Sequence, residues 1–399
     1  MTGCHHGGMP TREREFDIVL FGATGFTGAL TAEYLARNAP VGLRWALAGR
    51  SPQKLEKVRA DLADVDPELK QLELLHADVT DPASLVEVAR RARVVITTVG
   101  PYLTYGEPLV AACAEAGTDY VDLTGEPEFV DRMYVEHHAT AEKTGARIVH
   151  ACGFDSVPHD LGAYFTVKQL PADQPITLRG VVRASGMFSG GTFHSAVTAL
   201  SRVRQMKEAA ASRRRAEPRP EGRSSRAVGA KPGRDDVLGY WLLPLPTIDP
   251  MVVARSGAAL ASYGPDFRYS HFAGTKTRRF AAGGAVAVAT IGAVAQVKPL
   301  RNLLLGRIKQ GEGPDEARRE KSWFRVDFVG KAGGQTVHTR VSGGDPGYGE
   351  TAKMLAESAL CLALDDNPPT AGQVTTAQAM GDNLLARLQL AGIRFEVVD

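Results

Sequence analysis

Residues 16–28 read Phe16-Asp17-Ile18-Val19-Leu20-Phe21-Gly22-Ala23-Thr24-Gly25-Phe26-Thr27-Gly28. An apolar run that stops at a glycine is the pattern of a strand buried on both faces. Gly22, Gly25 and Gly28 then recur every third residue. Gly22 permits a tight turn, Gly25 lets the backbone approach a pyrophosphate, and Gly28 lets the next helix sit close to the strand. A helix opening there offers free N–H groups and a partial positive charge to phosphates. Ala23, Thr24, Phe26 and Thr27 complete the loop, with Thr24 where the commoner fingerprint has its second glycine. The expectation is a dinucleotide phosphate loop.

Working outward, strand and helix patterns alternate up to residue 151. Strands are expected at Arg44–Ala48, Leu72–Leu75, Val94–Val99, Tyr120–Leu123 and Arg147–Ala151, with helices over 29–37, 107–116 and 127–143. Ser51-Pro52 and Asp81-Pro82 read as helix starts, a capping side chain followed by proline at the first helical position. Strands joined by helical crossovers make an α/β fold, a Rossmann-type doubly wound parallel sheet. After residue 155 the rhythm changes. Strand patterns at 176–184, 323–329 and 335–342 imply a second, α+β domain on a mixed or antiparallel sheet. The helical stretches Glu350–Leu364 and Ala377–Leu388 are placed to return to the first domain. The expected organisation is a disordered tail 1–14, a nucleotide-binding domain 15–155, a substrate domain 156–345 and C-terminal helices 346–399.

The end of the second strand discriminates between nucleotides. A free ribose 2′-hydroxyl calls for an acid there, and the chain has Ala48-Gly49-Arg50-Ser51. Arg50 can fork onto a 2′-phosphate and Ser51 can add a donor, so NADPH is the expected cofactor. Asp78, ending the third strand, can accept from an adenine amino group or simply open a turn. Val99-Gly100-Pro101 ends the fourth strand, where the nicotinamide would lie, with Tyr102 and Tyr105 beyond it. Tyr102 is a candidate oxyanion donor or proton source. Asp155 and His159 follow the sixth strand and are candidates for substrate positioning or proton relay, against plain roles as a helix cap and a satisfied polar residue. A rival pair, Tyr164 and Lys168, matches the YxxxK pattern of short-chain dehydrogenases.

With 399 residues, 44% hydrophobic and 23% charged, the chain can bury a large core. Its net charge of +2 argues against nucleic acid as a bulk partner. Four scattered cysteines, at 4, 113, 152 and 361, form no CxxC pair. No metal site is expected beyond an adventitious one at Cys4-His5-His6, and a cytoplasmic location is the simple reading. Residues 202–234 carry eleven Lys/Arg against three Asp/Glu. That fits a solvated loop, or a docking surface for an acidic partner or an anionic membrane. Residues 280–297 hold no charge, yet ten of the eighteen are Ala or Gly. A packed internal helix, a lipid- or acyl-contacting segment and a spanning helix are the three readings.

The segments GATGFTG, AGRS, TTVGPYLTYGEPLV, DLTGE (122–126) and ACGFDSVPHDLG together resemble the saccharopine-dehydrogenase-like oxidoreductases. Within them the chain is most similar to the trans-acting enoyl reductases of complex-lipid polyketide assembly (phthiocerol and phenolglycolipid type). The resemblance implies an NADPH site on Gly22, Gly25, Gly28 and Arg50. It also implies reduction of a long-chain enoyl thioester carried by a polyketide synthase acyl carrier domain. It supplies no catalytic acid. Two alternatives stay open: a carbonyl or imine reductase using Tyr164 and Lys168, and a non-catalytic nucleotide-binding protein of lipid surfaces. Acyl substrate, partner synthase and oligomeric state are not legible.

Overall fold

The computed structural model describes residues 14–185, 190–229, 231–306 and 316–398. The expected tail up to residue 13, with Cys4, His5 and His6, lies outside them. Strands β1 (Phe16–Phe21), β2 (Trp45–Gly49), β3 (Glu73–His76), β4 (Ala92–Thr97), β5 (Asp119–Asp122) and β6 (Arg147–Val149) form the amino-terminal sheet. Helices α1 (Phe26–Asn38), α2 (Pro52–Ala63), α3 (Pro82–Arg91), α4 (Tyr102–Tyr105), α5 (Glu107–Ala116) and α6 (Pro127–Thr144) connect them. Every pairing is parallel and the order is β3-β2-β1-β4-β5-β6. Ile18, Leu20, Val94 and Ile96 point into one core, Val19, Ala46, Val95 and Tyr120 into the other. Helices cover both faces, which is why the strands read as unbroken apolar runs.

Helix α7 (Val157–Val167) leads into the second half. There follow β7 (Ile176–Ser185), α8 (Gly190–Ser201), α9 (Val203–Ala216), β8 (Ser224–Ala227), β9 (Gly233–Arg234), β10 (Trp241–Pro244), α10 (Asp249–Ala259), β11 (Asp266–Thr275), α11 (Arg278–Gln296), α12 (Lys298–Gly306), α13 (Glu316–Glu320), β12 (Trp323–Ala332) and β13 (Gln335–Gly343). The chain closes with α14 (Gly349–Leu364), β14 (Gly372–Val374), α15 (Thr376–Leu390) and β15 (Arg394–Val397). The second sheet is mixed, in the order β15-β13-β12-β7-β11-β10-β9, with β8 also on β11. β11 runs parallel to β7 and β8, and the other pairs are antiparallel.

The C-terminal helices do return to the first half, and they bring more than helices. α14 packs on α1, β1, β4 and β5, and its Glu357 accepts a 2.7 Å hydrogen bond from Tyr34. β14 adds a seventh parallel strand beside β6, and β15 extends the second sheet beside β13. Residues 349–397 therefore stitch the two sheets together. Three residues, Gly372-Gln373-Val374, are too few for a periodic signal, so this strand is not visible in the sequence alone.

Two stretches differ from expectation. Residues 202–234 are not a solvated loop: α9 packs on α6, and β8 belongs to the sheet. Much of their charge is used internally. Arg202 pairs with Glu128, Arg213 with Asp131 and Glu217, and Arg223 donates to the carbonyls of Ala258 and Leu260 at the end of α10. Lys207, Arg214, Arg215 and Arg219 remain exposed. The apolar segment 280–297 is not a packed internal helix: only 12% of the apolar window of α11 is buried.

Candidate functional site

The loop after β1 has the backbone that its glycines allow. Gly22 has φ +104°, a left-handed conformation that side chains disfavour. A Cβ on Gly28 would lie 2.1 Å from the Gly22 carbonyl oxygen. Only hydrogen there lets α1 start against the turn. Gly25 is the N-cap of α1, with no side-chain cap and no acid in the first turn. The first N–H groups of the helix are thus left for a ligand. Thr98, at the end of the neighbouring β4, braces the turn by donating to Gly22 O (3.1 Å). That contact is invisible in the sequence, because it joins residues 76 apart. The cradle fits a pyrophosphate.

Arg50 is exposed at the end of β2, and Ser51 holds the N-cap position of α2. The Ser51 side chain makes no capping bond and donates instead to Gln53 Oε1 at 3.5 Å, beside Arg50. Asp78 lies near Arg50. Its carboxylate accepts from the Thr80 N–H and hydroxyl (2.9 and 2.8 Å), which, with Arg50 close by, holds its pKa below the usual carboxylate range. Asp78 therefore shapes a turn at the adenine end. Charged hydrogen bonds of the Arg50 kind contribute about 1.5–3 kcal/mol. Arg50→Ala is expected to weaken NADPH at least tenfold while leaving NADH nearly unchanged, as read by titration calorimetry with both. Equal losses would take Arg50 off the 2′-phosphate.

Val99, Gly100 and Pro101 line the mouth after β4, next to Gly22, whose Cβ would strike Val99. Tyr105 is exposed at that mouth. Tyr102 is not: it is buried, donating to Thr97 O and accepting from the Leu123 N–H, both at 3.2 Å. Burial raises its pKa well above the ordinary value. The oxyanion-donor assignment is therefore corrected. Tyr102 fastens the end of β4 to the end of β5. The buried carboxylate of Glu126 helps by accepting from the Tyr102 and Leu103 N–H groups (3.2 and 2.8 Å), which caps α4. Tyr102→Phe should remove about 1–3 kcal/mol of stability by orphaning the Leu123 N–H. The expected signature is a lower melting temperature with unchanged kcat.

The loop after β6 reaches the same end of the sheet. Asp155 lies beside Gly125 of the β5 loop, with Oδ2 3.9 Å from where a Cβ on that glycine would stand. Asp155 comes together with three residues from both halves of the chain. His159, in the first turn of α7, has Nε2 3.7 Å from Asp249 Oδ1. His271, in β11, has Nε2 3.5 Å from Asp249 Oδ2. The Tyr269 hydroxyl meets His271 Nδ1 at 3.0 Å, and Phe154 stands edge-on to His159. The two histidines and Asp249 are buried. Their donor atoms lie within 4.8 Å of one another, close enough to share a proton or a small cation. Burial lowers the His159 pKa to about 3 and the His271 pKa to about 4, so both rings are neutral. Burial and the nearby Asp249 carboxylate push Asp155 up to about 7. Asp249 and His271 carry no sequence signal, since they lie 90 and 112 residues beyond His159 and join it only across the domain junction.

The rival pair is elsewhere. Tyr164 and Lys168 sit at the far end of α7, roughly 10 Å along its axis from its first turn. There Lys168 bonds Asp382 of α15 at 2.5 Å. That end packs on α15.

A glycine cradle at the point where strand order reverses, with a cation at the end of β2, defines an NADP-binding oxidoreductase of the doubly wound class. Comparison with known proteins agrees. Residues 18–149 match the saccharopine dehydrogenase NADP binding domain. A Mycobacterium tuberculosis protein, provisionally named a trans-acting enoyl reductase, is 41% identical over 97% of this chain and 99% of its own. A Mycobacterium ulcerans trans-acting enoyl reductase is 38% identical over 96% and 98%. Yeast saccharopine dehydrogenase shares the fold, with a TM-score of 0.56 at 13% identity, over 96% of this chain and 99% of that one. The chain belongs to the saccharopine-dehydrogenase-like family, in the branch of the trans-acting enoyl reductases. It is an oxidoreductase and its cofactor is NADPH.

Proposed function

We propose that the protein reduces the carbon–carbon double bond of an α,β-unsaturated acyl thioester presented by the carrier domain of a lipid polyketide synthase. The observation that carries the reading is the 41% and 38% identity, over nearly the whole chain, to proteins named trans-acting enoyl reductases; the Asp155 carboxyl, beside Gly125 of the β5 loop and pushed up to about 7, is the candidate acid. Bound NADPH supplies the hydride that reduces the β-carbon. The chain must then protonate the α-carbon. A carboxyl still partly protonated at neutral pH can do so, and an ordinary aspartate cannot. Asp249 helps to keep that proton on Asp155, and the neutral His159 and His271 flank Asp249 without cancelling its charge. The names of the relatives support the enoyl substrate. The remoteness of Tyr164 and Lys168 weighs against the short-chain carbonyl-reductase alternative. The exposed Lys207, Arg214, Arg215 and Arg219 offer an acidic carrier domain a cationic face.

The test follows NADPH absorbance with matched enoyl, keto and imine thioesters, carrier-bound and free. Oxidation with the enoyl compounds alone is expected. Turnover of the keto or imine series instead would overturn the assignment.

A further inference from the structure

α11 and α12 form an apolar surface that no other described residues cover. Ala281 and Ala295 are buried and Gly284 and Ile291 half-buried, which places these four on the face of α11 that lies against the body. Gly284 faces Leu243 of β10, and Gln296 donates to Leu200 O of α8. The opposite face shows Ala282, Gly283, Val286, Ala287, Ala289, Thr290 and Ala293 to solvent. The one polar group among those side chains, the Thr290 hydroxyl, is satisfied by donating to Val286 O at 2.8 Å. Phe280 and Val286 are 73% and 65% exposed, and Leu300 and Leu303 of α12 are 47% and 58% exposed. Contiguous apolar surface of this kind marks an interaction site.

Charge identifies the partner. Between Asp266 and Glu312 the sequence contains no acid but eight Lys/Arg. Arg278 and Arg279 occupy the first turn of α11, where the helix dipole disfavours cations, and no acid accompanies them. They are exposed, as are Lys276 and Lys298. Cations placed where they weaken their own helix, beside an uncovered apolar face, suit an anion outside the protein. The length of α11 matches a bilayer core, but its inner face is held to β10 and α8, so it lies along a surface instead of crossing it.

We propose that the α11–α12 face docks in the plane of an anionic phospholipid surface, with Phe280, Val286, Leu300 and Leu303 among the acyl chains and Lys276, Arg278, Arg279 and Lys298 at the headgroups. This is independent of the enoyl-reductase reading. The test is co-sedimentation of the full chain with vesicles of phosphatidylcholine alone or mixed with phosphatidylglycerol. Binding to the mixed vesicles only is expected. R278E/R279E should weaken it about thirtyfold or more, and V286D/L303D should abolish it. NADPH affinity of both variants should be unchanged, which shows that they fold and that the nucleotide site is separate. Absence of binding to either vesicle would overturn the proposal. So would a lipid-independent dimer that V286D/L303D dissociates, since a second copy would then be the cover.

Discussion

Gly28→Ala is expected to raise the Kd for NADPH at least a hundredfold in a protein that still folds. The added Cβ would stand 2.1 Å from Gly22 O, 2.8 Å from Gly22 C and 2.8 Å from Thr98 Oγ1. Two of those atoms are backbone and cannot swing aside. α1 must move off the turn, and its free N–H donors move with it. Losing two hydrogen bonds to a charged phosphate, at about 1.5–3 kcal/mol each, accounts for the hundredfold. Calorimetric titration measures the affinity, and thermal unfolding confirms that the two cores persist. An affinity within about threefold of the parent would mean that the pyrophosphate lies elsewhere, because phosphates held on the first N–H groups of α1 must lose contacts when that helix moves off the turn.

Asp155→Asn is expected to lower kcat with enoyl thioesters about a hundredfold or more, the range for loss of a general acid, with the Kd for NADPH unchanged. In the parent, the protonated carboxyl is the active form. Turnover should therefore be level on the acid side and fall tenfold per pH unit above about 7. Asp249→Asn removes the neighbouring negative charge, so this limb should move to lower pH. Stability gives a second check with a definite sign. The folded chain keeps a proton that the unfolded chain releases at an ordinary carboxylate pKa. The associated stability is complete in acid and is lost as the pH rises through about 7. Asp155→Asn should flatten that part of the stability profile. A kcat independent of pH across neutrality would remove Asp155 as the proton donor.

The backbone of the expected nucleotide loop is largely legible in the sequence. Gly22, Gly25 and Gly28 act through local backbone geometry, and Arg50 follows its strand by one residue, so spacing carries the information. The catalytic end was less so. Tyr102 follows the end of β4 as its sequence position implies, but its hydroxyl turns inward to Thr97 and Leu123. One-dimensional order tells where a residue sits and not which way its side chain points. The basic run 202–234 misled in another way: charge usually marks solvent, yet Arg202, Arg213 and Arg223 are matched by carboxylates or carbonyls far along the chain.

Alternating apolar runs and glycine spacing determined the parallel sheet and its dinucleotide-type loop, and Arg50 in place of an acid after β2 pointed to NADPH. These depend on neighbours within a few residues, and periodicity records them. Only the tertiary structure decided that β14 joins the first sheet, that Asp249 and His271 come to Asp155 and His159, and that the outer face of α11 is left bare by the described residues. Each depends on contacts between segments tens to hundreds of residues apart, set by how two sheets and their covering helices pack, which no local pattern encodes.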